Sequence, residues 1–421
     1  MKQSNNATTL SYSSFLWKRF RKNKLALWSL RIFYGLLFVA VFADFIANER
    51  PIYCQVEGET HFPIFRNYLV QAGLTKPAKA FLHQDWKEIK YEKAIFAPIP
   101  YSPNTLDTPN RFKSPAKAGH QHYFGTGELG RDVAAGLIHG TRIALMVGIL
   151  AMLLASSIGI FLGSLAGYFG DSRFRISKAR LWLNVLGLPL GLFYGFITRH
   201  YALSEAGREG GFGTQLLLSI GIIVLIFLVL NGLASLLKRI PFFQKKVAIP
   251  LDLIVMRLVE IFNSIPSLLF LLAIIAIVQK SSIYNILLII GFLGWTGIAR
   301  FVRAELLRIR SLQYIDAVQS MGLSDVRILL RHALPNSLTP VLIRIASGIA
   351  AAILFEAALS FLGIGVGVDD MTWGKLLAYG RSKPSAWWLA IFPGLAIFVS
   401  VLVFNLIGEG LTDALNPKRR K

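Results

Sequence analysis

The sequence predicts an all-α polytopic membrane protein, and three observations carry that prediction. Hydrophobic residues make up 54% of the 421 and charged residues only 16%, with a mean hydropathy of +0.53; soluble domains carry about 25% charged residues. The apolar residues fall in runs of the ~20 needed to cross about 30 Å of hydrocarbon. Lys and Arg gather at the ends of those runs rather than on one polar domain. That placement explains the net charge of +22 by positive-inside topology and argues against a nucleic-acid partner.

The elements follow in chain order. Residues 1–24 form a basic N-terminal segment ending in "FLWKRFRKNK" (Phe15–Lys24), an amphipathic lead-in expected on the inner face with Phe15, Leu16 and Phe20 dipping into the interface. The first span, Leu25–Ala47, has no small-residue cleavage site after it and reads as an anchor rather than a signal peptide. Residues 48–135 are polar and proline-containing, an external loop or small cap with a helical patch near Ala78–Lys93. Residues 136–410 hold the remaining spans, expected at Thr141–Phe169, Leu181–Thr198, Thr214–Leu237, Ile254–Val278, Ile283–Leu307, Ser337–Phe355 and Trp387–Ile407. In the second span, Gly159, Gly163 and Gly167 recur at the spacing that lets helices approach closely. Residues 411–421 are a basic tail.

Charge orients these eight spans. The loops Asp171–Arg180 and Lys238–Val247 and the tail "PKRRK" are basic, whereas Arg199–Gly213 balances two arginines against Glu205 and Glu209. An inside N-terminus puts every short basic loop inside, and eight spans return the C-terminus to the same side. The single cysteine, Cys54, excludes an internal disulfide and a Cys-based zinc site.

The stretch "QYIDAVQSMGLSDVRILLRHALPN" (Gln313–Asn336) is too polar to span and too ordered for a linker. Tyr314–Met321 makes two helical turns, and Gly322 supplies the left-handed residue that ends them. Ser324 is an N-cap for a second helix, Val326–Ala333, with Asp325 in its first turn and Pro335 interrupting or kinking it. Arg308, Arg310, Arg327 and Arg331 put the device on the inner face. Ile315, Val318 and Met321 form an apolar side suited to a partner's groove; an ordinary interfacial loop is the alternative.

Other candidates carry less. "GTGELG" (Gly125–Gly130) fits a dinucleotide fingerprint but follows no strand. His120, His122 and His139 read as solvated loop histidines rather than metal ligands. Arg257, Glu260 and Glu356 sit near span ends and either line a pathway, pack in pairs, or snorkel. Arg300, Arg303 and Glu305 mark the inner end of their helix. No P-loop, nucleophile elbow or H-E-x-x-H occurs, so the chain is not expected to hydrolyse ATP and no cofactor or metal is assigned to it.

The stretch 313–336 resembles the EAA loop of ABC importer permeases, with the pattern on Asp316, Ala317, Val318, Gly322, Leu334 and Pro335; Asp stands where Glu is usual and Val where Ala is usual. "HYFGTGELGRDVAAGLIHGTRIALMVG" (His122–Gly148), "LVEIFNSIPSLLF" (Leu258–Phe270), "WTGIARFVRAELLRI" (Trp295–Ile309), "ALSFLGIGV" (Ala358–Val366), "TWGKLL" (Thr372–Leu377) and "PGLAIFVSVLVFNLIGEGLTDALNP" (Pro393–Pro417) resemble the dipeptide/oligopeptide/nickel branch, specifically its C-type permease. Gly127 replaces the usual Asp. One region departs: insertion 171–250 carries two extra spans, which leaves the direction of everything downstream unchanged.

The resemblance implies a type I ABC importer permease (MetI-like) core of six transmembrane helices plus an inserted pair, about eight spans, in a bacterial inner membrane. It implies a heterodimer with a second permease subunit, two cytoplasmic ATPase subunits that hold the ATP, an extracytoplasmic substrate-binding protein, and peptides as substrate. The ATPases would dock on loop 308–336, with Tyr314, Ile315, Asp316, Ala317, Val318, Gly322, Arg327, Arg331, Leu334 and Pro335 as the coupling residues. The rival is an ion-gradient-driven secondary transporter, which would show inverted repeats and midplane ionisable groups; no clear repeat is present.

Overall fold

The computed structural model of the protein describes residues 17–76, 86, 89–115, 122–209, 211–237, 240–278, 282–365, 367 and 369–415. Among them, seven helices are long and apolar enough to cross a membrane: α1 (Lys24–Val41), α2 (Val133–Phe169), α3 (Lys178–Ile197), α4 (Gly213–Leu237), α5 (Ile283–Arg310), α6 (Asp325–Phe361) and α7 (Trp388–Leu415). The span expected over Ile254–Val278 is two helices, Leu251–Ser264 and Ser267–Val278, bent by 82° at their junction. Pro266 is the cause: it lacks an N–H for the ladder and disfavours helical backbone at Ile265. The second helix restarts on the Pro266 carbonyl, which accepts from the Phe270 N–H at 3.1 Å.

The chain divides into two compact units, Met1–Gly163 with Val259–Lys421, and Ser164–Leu258. In the first, α1, α2, α6 and α7 meet around Ala40, Ala144, Ile353, Trp373 and Phe404. Ala40, Ala144, Ala350 and Ala357 are the small members of this cluster. Lipid is as apolar as leucine, so helices associate through close packing rather than burial from water. A Cβ at Gly159 would stand 2.7 Å from the Cβ of Ile298, and one at Gly163 would stand 2.6 Å from the Ala299 carbonyl, so both glycines seat α2 on α5. Gly167, third in that row, is buried in the other unit.

The amino-terminal end of α1 is tied to α7. Asn23 caps α1, its Oδ1 accepting from the Ala26 N–H at 3.1 Å while its amide donates to Asp413 at 3.0 Å. Phe20, expected in the lipid interface, is only 5% exposed and packs with Ala26 and Ala414 over Gly410, which has no side chain to obstruct it. Phe15 and Leu16 lie outside the described residues. At its other end α1 stops at Val41 instead of running to Ala47, and a single turn, Ala43–Ile46, follows. Arg142 of α2 takes the Ala40 carbonyl at 2.8 Å, satisfying an acceptor that the helix leaves open.

Beyond α1 the chain builds a three-stranded antiparallel sheet in which β1 (Tyr53–Val56) lies between β2 (Glu59–His61) and β3 (Lys93–Ile95). The helical patch expected near Ala78–Lys93 falls mostly outside the described residues. Its last residue, Lys93, is in a strand opposite Gln55, because the open edge of β1 offers it backbone partners.

The second unit is a helical hairpin. β4 (Arg175–Ser177) pairs antiparallel with β5 (Lys246–Ala248), bringing the two ends of the insertion side by side. From that base α3 and α4 pack through Gly187 and Gly195 against Leu230 and Ile223, and the Asn231 side-chain Nδ2 donates a hydrogen bond to Asn184 Oδ1 at 3.0 Å. Leu217, Leu225, Leu228 and Val229 point outward, as in a helix bathed by lipid.

Candidate functional site

Two regions bring chemistry-bearing residues together. The first is the turn between α5 and α6. α5 ends with Arg308 gripping Glu305 and with Arg310 in the last turn, where cations oppose the helix dipole. Helix Gln313–Ser320 follows. Ile315 is fully buried and pins this short helix to its own chain, and the Asn336 amide donates to the Tyr314 hydroxyl at 3.2 Å, tying it to the base of α6. The turn after it closes through the Gly322 N–H to Gln319 carbonyl bond at 2.9 Å, with Gly322 at φ +80°.

The apolar side expected to face a partner is therefore divided. Ile315 faces inward, Val318 is half-buried and Met321 is exposed at 76%. The helix spends its apolar contact on its own core first, and what it presents outward is Tyr314, Asp316, Ala317 and Met321. Ser324 has the extended backbone of an N-cap, ψ 145°, but its side chain makes no capping bond. Pro335, expected to interrupt or kink the second helix, does not end it: α6 runs from Asp325 to Phe361. The adjustment occurs one turn earlier, where Leu329–Ala333 widens to a π-helix. Arg327 and Arg331 are exposed on this segment, Leu334 is half-buried and Pro335 exposed.

The second region is the lead-in to α2, the stretch His122–Asp132. His122, expected to be solvated, is 1% exposed. Its Nδ1 lies 2.8 Å from Asp132 and its Nε2 3.1 Å from Asp107, and the Tyr101 ring lies against it, tilted by 30°, with centroids 4.3 Å apart. Burial pulls the imidazole pKa down, but the bonds to Asp132 and then Asp107 outweigh it and hold His122 above its ordinary value. Asp132 also caps α2, accepting from the Ala135 N–H at 2.7 Å. Trp388 at the head of α7 donates to the Thr126 carbonyl at 3.0 Å. The glycines of the fingerprint-like stretch serve a turn: Gly125, at φ +80°, lies against the Trp388 ring, where a Cβ would sit 3.0 Å from it.

The other expected residues are placed apart. Glu356 does not snorkel; it is fully buried, with its Oε1 accepting from Ser360 at 2.5 Å. Arg257 and Glu260 are exposed on Leu251–Ser264. His139 bonds the Ala47 carbonyl at 2.8 Å, and His120 lies outside the described residues. Among the described residues no cluster of His, Cys, Asp or Glu fits a metal.

Asp107 is outside every motif quoted from the sequence, and Asp132 and Arg142 lie inside the stretch His122–Gly148 without a role assigned to them. Asp132 alone had a local signal, an acidic residue just before an apolar helix. Arg142 pairs with Asp44 at 2.7 Å on the wall of a cavity of about 720 Å³ that Glu49, Arg50, Asp369 and Asp370 also line. Burial raises the Asp44 pKa, but the Tyr68 hydroxyl and the Arg142 guanidinium together hold it below the usual carboxylate value.

Residues 246–421 match the family described as binding-protein-dependent transport system inner membrane component, and residues 11–67 match the N-terminal TM domain of oligopeptide transport permease C. The chain is 27% identical to the inner membrane ABC transporter permease protein YejE of Escherichia coli (strain K12), over 96% of each chain. It is 30% identical to the dipeptide transport system permease protein DppC of Alkalihalophilus pseudofirmus, over 78% of this chain and 82% of that one. With the oligopeptide transport system permease protein OppC of Bacillus subtilis (strain 168) it shares 27% identity over 78% and 82%. The chain belongs to the binding-protein-dependent ABC permeases: it is a multi-pass inner-membrane subunit of an ATP-driven importer.

Proposed function

We propose that this permease imports peptides, forming half of a translocation pathway with a second permease subunit. Two cytoplasmic ATPase subunits, which carry the ATP, dock on the helix Gln313–Ser320, and an extracytoplasmic binding protein delivers the substrate. Both termini are cytoplasmic, with the bent pair counted as one crossing. The relatives named as dipeptide and oligopeptide permeases support the substrate class.

The observation that carries the coupling role is mechanical. Gln313–Ser320 joins α5 to α6 with short connections at both ends, and Ile315 and the Tyr314–Asn336 bond hold it to its own chain. A displacement of this helix is therefore delivered to two long spans rather than absorbed in a loop. ATP binding that draws the ATPases together shifts the spans between inward-open and outward-open arrangements, provided ATP favours one of them. Asp316 is exposed and offers a carboxylate to the docking face.

Co-purification with the candidate ATPases tests this. Wild type should retain them, whereas Gly322→Val and Asp316→Lys should lose most of the complex. Equal retention by all three would remove the coupling role from this helix. Failure of wild type to retain any ATPase with the second permease present would overturn the importer assembly proposed here.

A further inference from the structure

A groove of about 330 Å³ runs along α5 and α6, lined by Gly294 and Gly297 on one side and by Arg344, Ser347 and Gly348 on the other. Its one charged lining residue is Arg344. The Arg344 guanidinium lies at the level of Gly297 on α5, about 15 Å of helix or more from either end of the span Ile283–Leu307 at ~1.5 Å per residue. The side chain is therefore turned toward the middle of α5 and does not snorkel to the inner interface. Ionisable groups at such depth are costly unless they pair or face water, so they mark functional surfaces.

Arg344 is exposed, and among the described residues no carboxylate pairs with it. Its guanidinium lies across Gly297, where a Cβ would meet Nη2 at 3.5 Å. Gly297 thus differs from Gly159 and Gly163, whose bareness admits another helix. Here the missing side chain leaves room beside a charge. A fork of N–H donors in a narrow, otherwise uncharged groove is suited to a carboxylate, which guanidinium binds through two parallel bonds.

We infer that Arg344 is a substrate-contact residue of the pathway, holding the free α-carboxylate of a peptide in the groove between α5 and α6. The inference rests on the peptide-import reading above. Every unmodified peptide carries this group whatever its side chains, so recognition at Arg344 would admit many sequences while excluding peptides without a free carboxylate.

The test uses the complete transporter in proteoliposomes: both permeases, both ATPases and the binding protein. A mixture of di- and tripeptides is supplied as free acids and as C-terminal amides, with uptake read by mass spectrometry. Each acid-to-amide uptake ratio is divided by the same ratio on the binding protein, which isolates selection by the permeases. Wild type should favour the free acids by about tenfold, the discrimination of one charge-assisted bond. Arg344→Gln should bring that ratio to about one, and Arg344→Lys should retain part of it, with recovery of the second permease unchanged.

An unchanged ratio in Arg344→Gln overturns the inference and leaves peptide import standing. Loss of the second permease from Arg344→Gln also overturns it, because Arg344 would then pair across the subunit interface. Uptake of neither peptide form by wild type would defeat the import reading itself, and the inference with it.

Discussion

Gly322 and His122 show how much a single residue decides. At Gly322 a side chain would meet nothing within 4 Å, so substitution acts through backbone conformation alone. The left-handed geometry, φ +80°, costs an ordinary residue about 1–2 kcal/mol and a β-branched one more. Gly322→Asn should therefore keep most of the transport rate and Gly322→Val should lose most of it, measured as the initial rate of ATP-dependent peptide uptake into proteoliposomes. Equal behaviour of the two would show that the turn is not held in this conformation.

His122 makes a pH prediction. Its folded pKa is raised, so the stability it contributes is complete below the unfolded value near 6.5 and is lost as pH rises through the folded pKa. The thermal unfolding midpoint in detergent should fall with rising pH across that window in wild type, and the slope should disappear in His122→Gln. A wild-type curve with no slope there would place the charge elsewhere. Removing hydrogen bonds to two carboxylates should also lower stability at pH 6 by about 1.5–3 kcal/mol.

Among elements, the contact between α2 and α5 is the least forgiving. A Cβ at Gly163 would press on the Ala299 carbonyl and the Val302 side chain, and backbone cannot yield as a flexible side chain can. Gly163→Ala should destabilise by about 1–3 kcal/mol, the range for an overpacked core. Gly394→Ala on α7, with nothing within 4 Å of the new methyl, should be neutral or slightly stabilising. Thermal midpoints of the purified variants would check the contrast, and comparable losses at both positions would refute it. The glycine spacing in α2 was legible from the sequence, whereas its partner surface was not, because spacing gives a face and never names what covers it. The bend at Pro266 is equally accessible through its proline, whereas the length and apolarity of Ile254–Val278 give a span and not its 82° angle.

For the whole molecule, the insertion is the decisive case. Its two ends are joined by the β4–β5 pairing, Arg175 opposite Ala248 and Ser177 opposite Lys246. Replacing residues 178–245 with a short hairpin turn therefore asks little of the backbone. Removing two spans also preserves the direction of all later ones. The shortened chain should insert with its C-terminus on the original side, read by the accessibility of a cysteine introduced there. It should still co-purify with the ATPases. A C-terminus found on the opposite face would mean that α3 and α4 do not both cross.

By itself the sequence determined that this is an all-α membrane protein of about eight apolar segments with a short helix, glycine turn and second helix before α6. Those features are local: run length, charge at run ends, a glycine able to turn and a proline able to break can all be read from neighbours in the chain. Only the tertiary structure decided that Ile315 faces inward and that α6 passes through Pro335 behind a π-widened turn. The same holds for the enclosure of His122 by Asp107 and Asp132 and for the placement of Arg344 beside Gly297. Each of these depends on groups far apart in the chain, and in a bilayer that supplies no hydrophobic drive between helices their pairing follows from how closely two surfaces fit.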